Sequence, residues 1–154
     1  MTILTSYWSR PLPPDYVRIS VSRGSPRWMK PQPKIPEFAP GQWLYTTPDP
    51  EEYRIKYVSQ LACVDVGEIV ERIDRMAGGR TAVLCCFCKP GVPGGFCHRA
   101  WLSVLFAHRA NLEVPELGME ADGSGAAHPL LPQEYRWPLE QPSAQARPVQ
   151  LDLL

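Results

Sequence analysis

No stretch of this chain approaches the ~20 consecutive apolar residues of a membrane span, so no bilayer-crossing helix is expected. Charge of one sign is also missing: 16 Lys and Arg stand against 16 Asp and Glu, a formal net charge of zero. That removes the usual electrostatic case for a protein that coats nucleic acid or a membrane surface. A small anionic ligand, which needs only one local positive site, is still allowed. The opening residues, MTILTSYWSRPLPPDY, have no basic stretch leading into an apolar core. A signal peptide is therefore not expected, and a cytoplasmic location is. Thiols stay reduced there, and five cysteines is an odd count, so a disulfide is the weakest account of them.

Proline is abundant, 18 residues in 154, and it is concentrated outside the middle of the chain. The regular elements fall between these prolines. TILTSYW (2–8) reads as a short strand, and YVRISVS (16–22) as a second, with Val17, Ile19 and Val21 alternating against Arg18, Ser20 and Ser22. Residues 24–50 are proline-dense and have no period, which predicts a long irregular excursion. Its Trp28, Met29, Phe38, Trp43, Leu44 and Tyr45 argue that it packs. Asp49-Pro50-Glu51-Glu52 is a helix start, with Asp as cap and Pro in the first turn, predicting a helix over 51–62. A second begins near Asp65, carries Ile69, Val70, Ile73 and Met76 at helical spacing, and stops at Gly78-Gly79.

TAVLCCF (81–87) is almost wholly apolar, as a strand buried on both faces of a parallel sheet would be. AWLSVLFAHRANL (100–112) follows as an apolar helix, and Val114 is placed at the start of a last edge strand. Residues 1–118 therefore read as one α/β domain, a small layered structure with a mainly parallel sheet flanked by helices. Residues 119–154 read as a Pro-rich linker and tail whose Tyr135, Trp137 and final LDLL could dock on the body. His128 falls in that linker and is expected to be idle, and His108-Arg109 suits the negative end of a helix.

Four of the five cysteines lie in CCFCKPGVPGGFCHR (85–99). Strand alternation puts Cys86 and Cys88 on one face and Cys85 on the other, where it reads as a small core residue. Cys97 falls where the next helix begins, the place where α/β sheets bind ligands. Glycines in the long loop between would let backbone N–H groups approach such a ligand. A helix start and neighbouring Arg99 and His98 favour a thiolate at Cys97. Arg99 could clamp a phosphate or carboxylate, and His98 could act as acid or base or orient a ligand. The bland account is that Cys97 caps a helix and Arg99 sits in a structural ion pair. A metal site would take Cys86, Cys88, Cys97 and His98, with zinc as the ion. Its spacing is unusual, because structural zinc sites favour C-x2–4-C pairs, and two adjacent residues at a helix start rarely aim at one ion.

SVSRGSPRWMK (20–30) and VLCCFCKPGVPGGFCHRAWLSVLF (83–106) together resemble the bacterial "domain of unknown function 488" family. Its members show an Ile-Ser-Arg-Gly-x-Pro-x-Trp-like stretch after an early strand. Later comes a strand ending in Cys, a short loop with Pro, and Cys-His-Arg opening a helix. Ser22, Arg23, Gly24, Pro26 and Trp28 match the first element, and Cys86, Pro90, Cys97, His98 and Arg99 the second. The likeness covers roughly residues 2–117. It implies a small α/β domain of Rossmann-like appearance and no established activity. Two departures stand out: Cys88 occupies a position often acidic in relatives, and the loop carries an extra Val-Pro-Gly-Gly stretch.

The resemblance suggests that strand 16–22 lies beside strand 81–87, which would bring Ser22-Arg23-Gly24 to the same sheet edge as Cys97-His98-Arg99. Cys97, His98 and Arg99 are then candidate catalytic residues. Ser22, Arg23, Gly24, Trp28, Cys86 and Cys88 are candidate ligand contacts. Trp28 reads first as a loop anchor and second as a stacking platform for a base. The expected partner is a small anionic, phosphate-bearing ligand such as a nucleotide, or a nucleic-acid end, with no cofactor. A binding module in which Cys97 never reacts, and a small zinc protein, are the alternatives.

Overall fold

The computed structural model describes residues 1–135. Three strands, β1 (Ile3–Tyr7), β2 (Tyr16–Ser20) and β3 (Thr81–Cys86), form a parallel sheet in the order β1-β3-β2. The register pairs Tyr7 with Cys86 on one side and Ser20 with Cys85 on the other. β2 therefore lies beside β3, as the shared motif suggested. Both edges are extended by single bridges. Thr5 pairs with Glu116 beyond β1, and Ser20 pairs with Lys34 beyond β2. The segment expected as a last edge strand after Val114 is thus reduced to one bridge. Pro115 and Pro33 explain why neither edge continues: proline has no N–H to offer a ladder.

Three α-helices pack on one face of the sheet: α1 (Pro50–Leu61), α2 (Val66–Ala77) and α3 (His98–Ala110). Their buried residues share one core with Val17, Ile19, Ala82, Leu84 and Cys86. Among the described residues, the opposite face is covered without an α-helix. Leu4, Val83 and Cys85 meet Trp8, with Leu12, Met29 and Leu117 packed around them. The cause is the connection from β1 to β2. Only residues 8–15 are available to return along the sheet, fewer than the dozen or more of an ordinary crossover. Pro11, Pro13 and Pro14 keep that return extended. The parallel sheet is flanked by helices as expected, and among the described residues the α-helices lie on one face with an extended strap on the other.

The helix signals act as expected. The Asp49 carboxylate accepts from Glu52 N–H and the Asp65 carboxylate from Glu68 N–H, each satisfying an otherwise unpaired donor of the first turn. Gly78 closes α2 with φ 57°, a left-handed position that glycine adopts without penalty. α2 contributes Ile69 and Ile73 to the core, both essentially unexposed. Loss of its cap should therefore be felt globally: Asp65→Ala is expected to lower unfolding free energy by about 1 kcal/mol, read from urea denaturation. An unchanged midpoint would mean that the bond is not formed in solution.

Residues 119–135 do not behave as a linker. Cys97 N–H donates to Leu130 O (3.1 Å), Gly125 N–H to Ser103 Oγ (2.8 Å), and Glu116 N–H to Gly123 O (3.1 Å). Leu130, Leu131 and Tyr135 join the main core. The small residues of GSGAA let this strap lie close on α3. His128, expected idle, is fully buried. The expected docking of Trp137 and residues 151–154 lies outside the described residues.

Candidate metal centre

The end of β3, the start of α3 and the end of β2 meet at one point. Cys86 is the last residue of β3 and Cys97 caps α3, with φ −148° and ψ 146°. That extended cap matters. Neighbouring residues within a helix point about 100° apart. Because Cys97 is still extended and His98 is the first helical residue, the two side chains converge instead. Cys97 Sγ lies 3.6 Å from His98 Nδ1 and 2.8 Å from Cys86 Sγ. The sulfur separation exceeds the ~2.05 Å of a covalent bond, and all five cysteines are free thiols. Cys86 Sγ, Cys97 Sγ and a His98 ring nitrogen all lie within 4.8 Å of one another, and all three residues are buried. Cys88 is exposed, and its sulfur is not one of the three ligand atoms that gather within 4.8 Å.

Hydrogen bonding orients the group. His98 Nε2 lies 2.7 Å from Val21 O. A carbonyl only accepts, so Nε2 carries a hydrogen and the other ring nitrogen, Nδ1, is the one turned to Cys97. Arg99 Nη1 donates to Cys86 Sγ (2.8 Å) and to Cys88 O (2.6 Å), and reaches Cys97 Sγ at 3.6 Å. Burial pushes the Cys97 thiol up, but hydrogen bonds from Cys86 and Cys88 and the charges of His98 and Arg99 outweigh it. Cys97 is held well below the usual thiol range. Burial and its two thiol neighbours hold Cys86 well above that range.

Arg99 does clamp a carboxylate in fork geometry, but the carboxylate is the chain's own. Its Nε and Nη2 donate to the two oxygens of Glu116 at 2.9 and 2.8 Å, with both side chains buried. Thr5 Oγ1 donates to Glu116 Oε1 at 2.7 Å. His128 Nδ1 accepts from Leu130 N–H, so its Nε2–H faces Thr5 Oγ1 at 2.8 Å and Glu116 Oε1 at 3.3 Å. Burial opposes the charge on Glu116, but the bonds from His128 and Arg99 win and hold its carboxyl below the usual range. Burial keeps His128 neutral, its pKa lowered. Sequence reasoning missed Glu116, Thr5 and His128. The available signal was an acid, Glu116, set among the apolar Val114, Pro115 and Leu117.

The other expected contacts lie apart from this point. Ser22 Oγ accepts from Trp8 Nε1 (3.1 Å). Arg23 is exposed and donates to Pro40 O (3.2 Å), not to a group shared with Arg99. Gly24 is exposed, with open space where a Cβ would stand. Trp28 is 69 % exposed and anchors nothing; Met29 and Pro26 turn inward instead. The segment after β2 does reach the site, through the Val21 carbonyl rather than through Arg23.

The ligand set fits a soft divalent ion such as zinc. Tetrahedral zinc, with Zn–S of ~2.3 Å and Zn–N of ~2.0–2.1 Å, has S···N edges of about 3.6 Å and S···S edges of about 3.8 Å. The Cys97–His98 spacing has the first of these already, and the two sulfurs would part by about 1 Å on loading. The His98 Nε2–H bond to a carbonyl and the Arg99 N–H bonds to sulfur are the outer-shell contacts that metal-bound histidine and thiolate use. No family model, no curated protein and no solved structure matches the chain.

Proposed function

We propose that the chain is a small zinc-binding α/β protein whose ion is held by Cys86, Cys97 and His98, with Cys88 as the surface-side fourth ligand. The observation that carries this reading is the convergence of three buried ligand atoms within 4.8 Å, with the His98 proton fixed on the nitrogen turned away from them. Four protein ligands make a closed, structural site. Such a site ties the end of β3 to the start of α3 across the long glycine loop. Resemblance to the domain of unknown function 488 family belongs to this proposal, since Cys86, Cys97 and His98 are among the residues that carry it.

Metal analysis of protein purified without chelator tests it. About one equivalent of zinc is expected. Cobalt substitution should give the absorption of thiolate-bound tetrahedral cobalt. Less than a tenth of an equivalent, with no uptake on adding zinc, would overturn the reading.

A second reading has support of its own: a thiol-dependent site at Cys97 acting on a small anionic ligand such as a nucleotide. It is favoured by the place of Cys97 at a helix start, with His98 Nδ1 3.6 Å away. Against it stand the burial of Cys97 and the engagement of Arg99 by Glu116. Metal-free protein whose Cys97 alkylates faster than exposed Cys63 would favour this second reading.

A further inference from the structure

The chain-wide balance of charge hides an uneven distribution. Residues 16–36 contain Arg18, Arg23, Arg27, Lys30 and Lys34 and no acidic residue at all. Four of these, Arg23, Arg27, Lys30 and Lys34, are exposed. Among the described residues, none of the four takes part in an ion pair. In their midst stands Trp28, 69 % exposed. Tryptophan is highly buried on average, so an open one in a segment of exposed cations without ion pairs calls for an account.

The loop that carries them is fixed. Pro26 is buried, Met29 N–H donates to Pro26 O, and Met29 packs against the second core cluster. Ile35 is fully buried, and Ser20 holds the chain there through bonds to Pro33 O and from Ile35 N–H. Pro26, Pro31, Pro33 and Pro36 restrict the backbone between these anchors. The loop is therefore held on its inner side while Trp28 and the cations face solvent. Little ordering entropy remains to be lost on binding.

We infer that this face binds single-stranded nucleic acid, with Trp28 stacking on a base and Arg23, Arg27, Lys30 and Lys34 contacting backbone phosphates. An aromatic platform beside a positively charged track is the physical basis of sequence-tolerant single-strand binding. Arg27 to Lys34 spans at most ~24 Å of extended chain, which suits a short run of nucleotides. An anionic membrane is the less fitting partner. Interfacial binding draws on a broad apolar helix face, whereas this loop offers one ring and no helix.

The test uses the full chain with its metal and a fluorescein-labelled twelve-nucleotide oligo(dT), read by anisotropy. Saturable binding is expected at 50 mM salt, with log affinity falling against log salt at a slope of about −3, from four phosphate contacts at about 0.7 each. Trp28→Ala should weaken binding about tenfold with little change in slope. Arg27→Gln with Lys30→Gln should flatten the slope by about 1.4. These positions are exposed, so the variants should keep the parent circular dichroism and metal content, which separates failure here from failure of the zinc reading. Affinity unchanged in both variants would overturn the inference. So would absence of binding at 50 mM salt, tighter binding of a duplex than of the single strand, or binding to phosphatidylserine vesicles without binding to the oligonucleotide.

Discussion

Glu116→Gln is expected to lower unfolding free energy by about 3–5 kcal/mol, the usual consequence of removing one partner of a buried ion pair. The Arg99 guanidinium is completely buried and has no water to turn to. In the parent it bonds both Glu116 oxygens; in the variant it keeps its charge and loses the carboxylate, with only its Nη1 still held by Cys86 Sγ and Cys88 O. For a chain of this length the midpoint of thermal unfolding should fall by roughly 6–20 °C. Arg99→Met added to the same variant should cost less than the two changes separately, because the pair is then replaced rather than broken. Acid has the same sign. The Glu116 carboxyl is held below its usual range in the folded state. Its contribution is therefore present above the ordinary glutamate value of ~4.3 and is lost as pH falls through the lower folded value. Parent protein should show this loss, and Glu116→Gln should not. A variant within about 0.5 kcal/mol of the parent would mean that Arg99 finds another partner.

The sequence was legible where local physics decides the outcome. Alternation marked β2, helical spacing marked α2, caps at Asp49 and Asp65 marked two helix starts, and the apolar run 81–87 marked the central strand. The Cys-His-Arg triplet falls at the start of α3, where Cys86, Cys97 and His98 gather. What it did not reveal was how those side chains are spent. Arg99 looks identical in sequence whether it waits for a ligand or is bonded to Glu116, 17 residues away. Two adjacent ligands look mis-aimed until Cys97 proves to be extended while His98 is helical. His128 looks idle because GSGAA resembles a linker, and only the packing of that strap on α3 buries it. Each of these depends on contacts between elements, which propensity and periodicity do not encode.

If Cys86, Cys97 and His98 hold zinc as proposed, removing it with a strong chelator should destabilise the protein without unfolding it. If free zinc stands a thousandfold above its dissociation constant, binding adds about 4 kcal/mol to stability, so chelation should lower the thermal midpoint by about 8–16 °C. Small zinc fingers lose their fold altogether under the same treatment. The difference here lies in the core. Ile19, Leu84, Ile69, Ile73 and Phe106 are buried around the sheet whether or not the ion is present, and the Arg99–Glu116 pair holds α3 independently to residues beyond β1. Loss should therefore be local. Amide exchange should quicken around 86–88 and 97–99 while Ile69–Ile73 stay protected. Cys86→Ala and His98→Ala should abolish the response to chelator, and Cys63→Ala, at an exposed cysteine away from the group, should retain it in full. A midpoint that ignores chelator in the parent would overturn the structural role. It would leave the Cys97–His98 pair free for the thiol chemistry of the second reading.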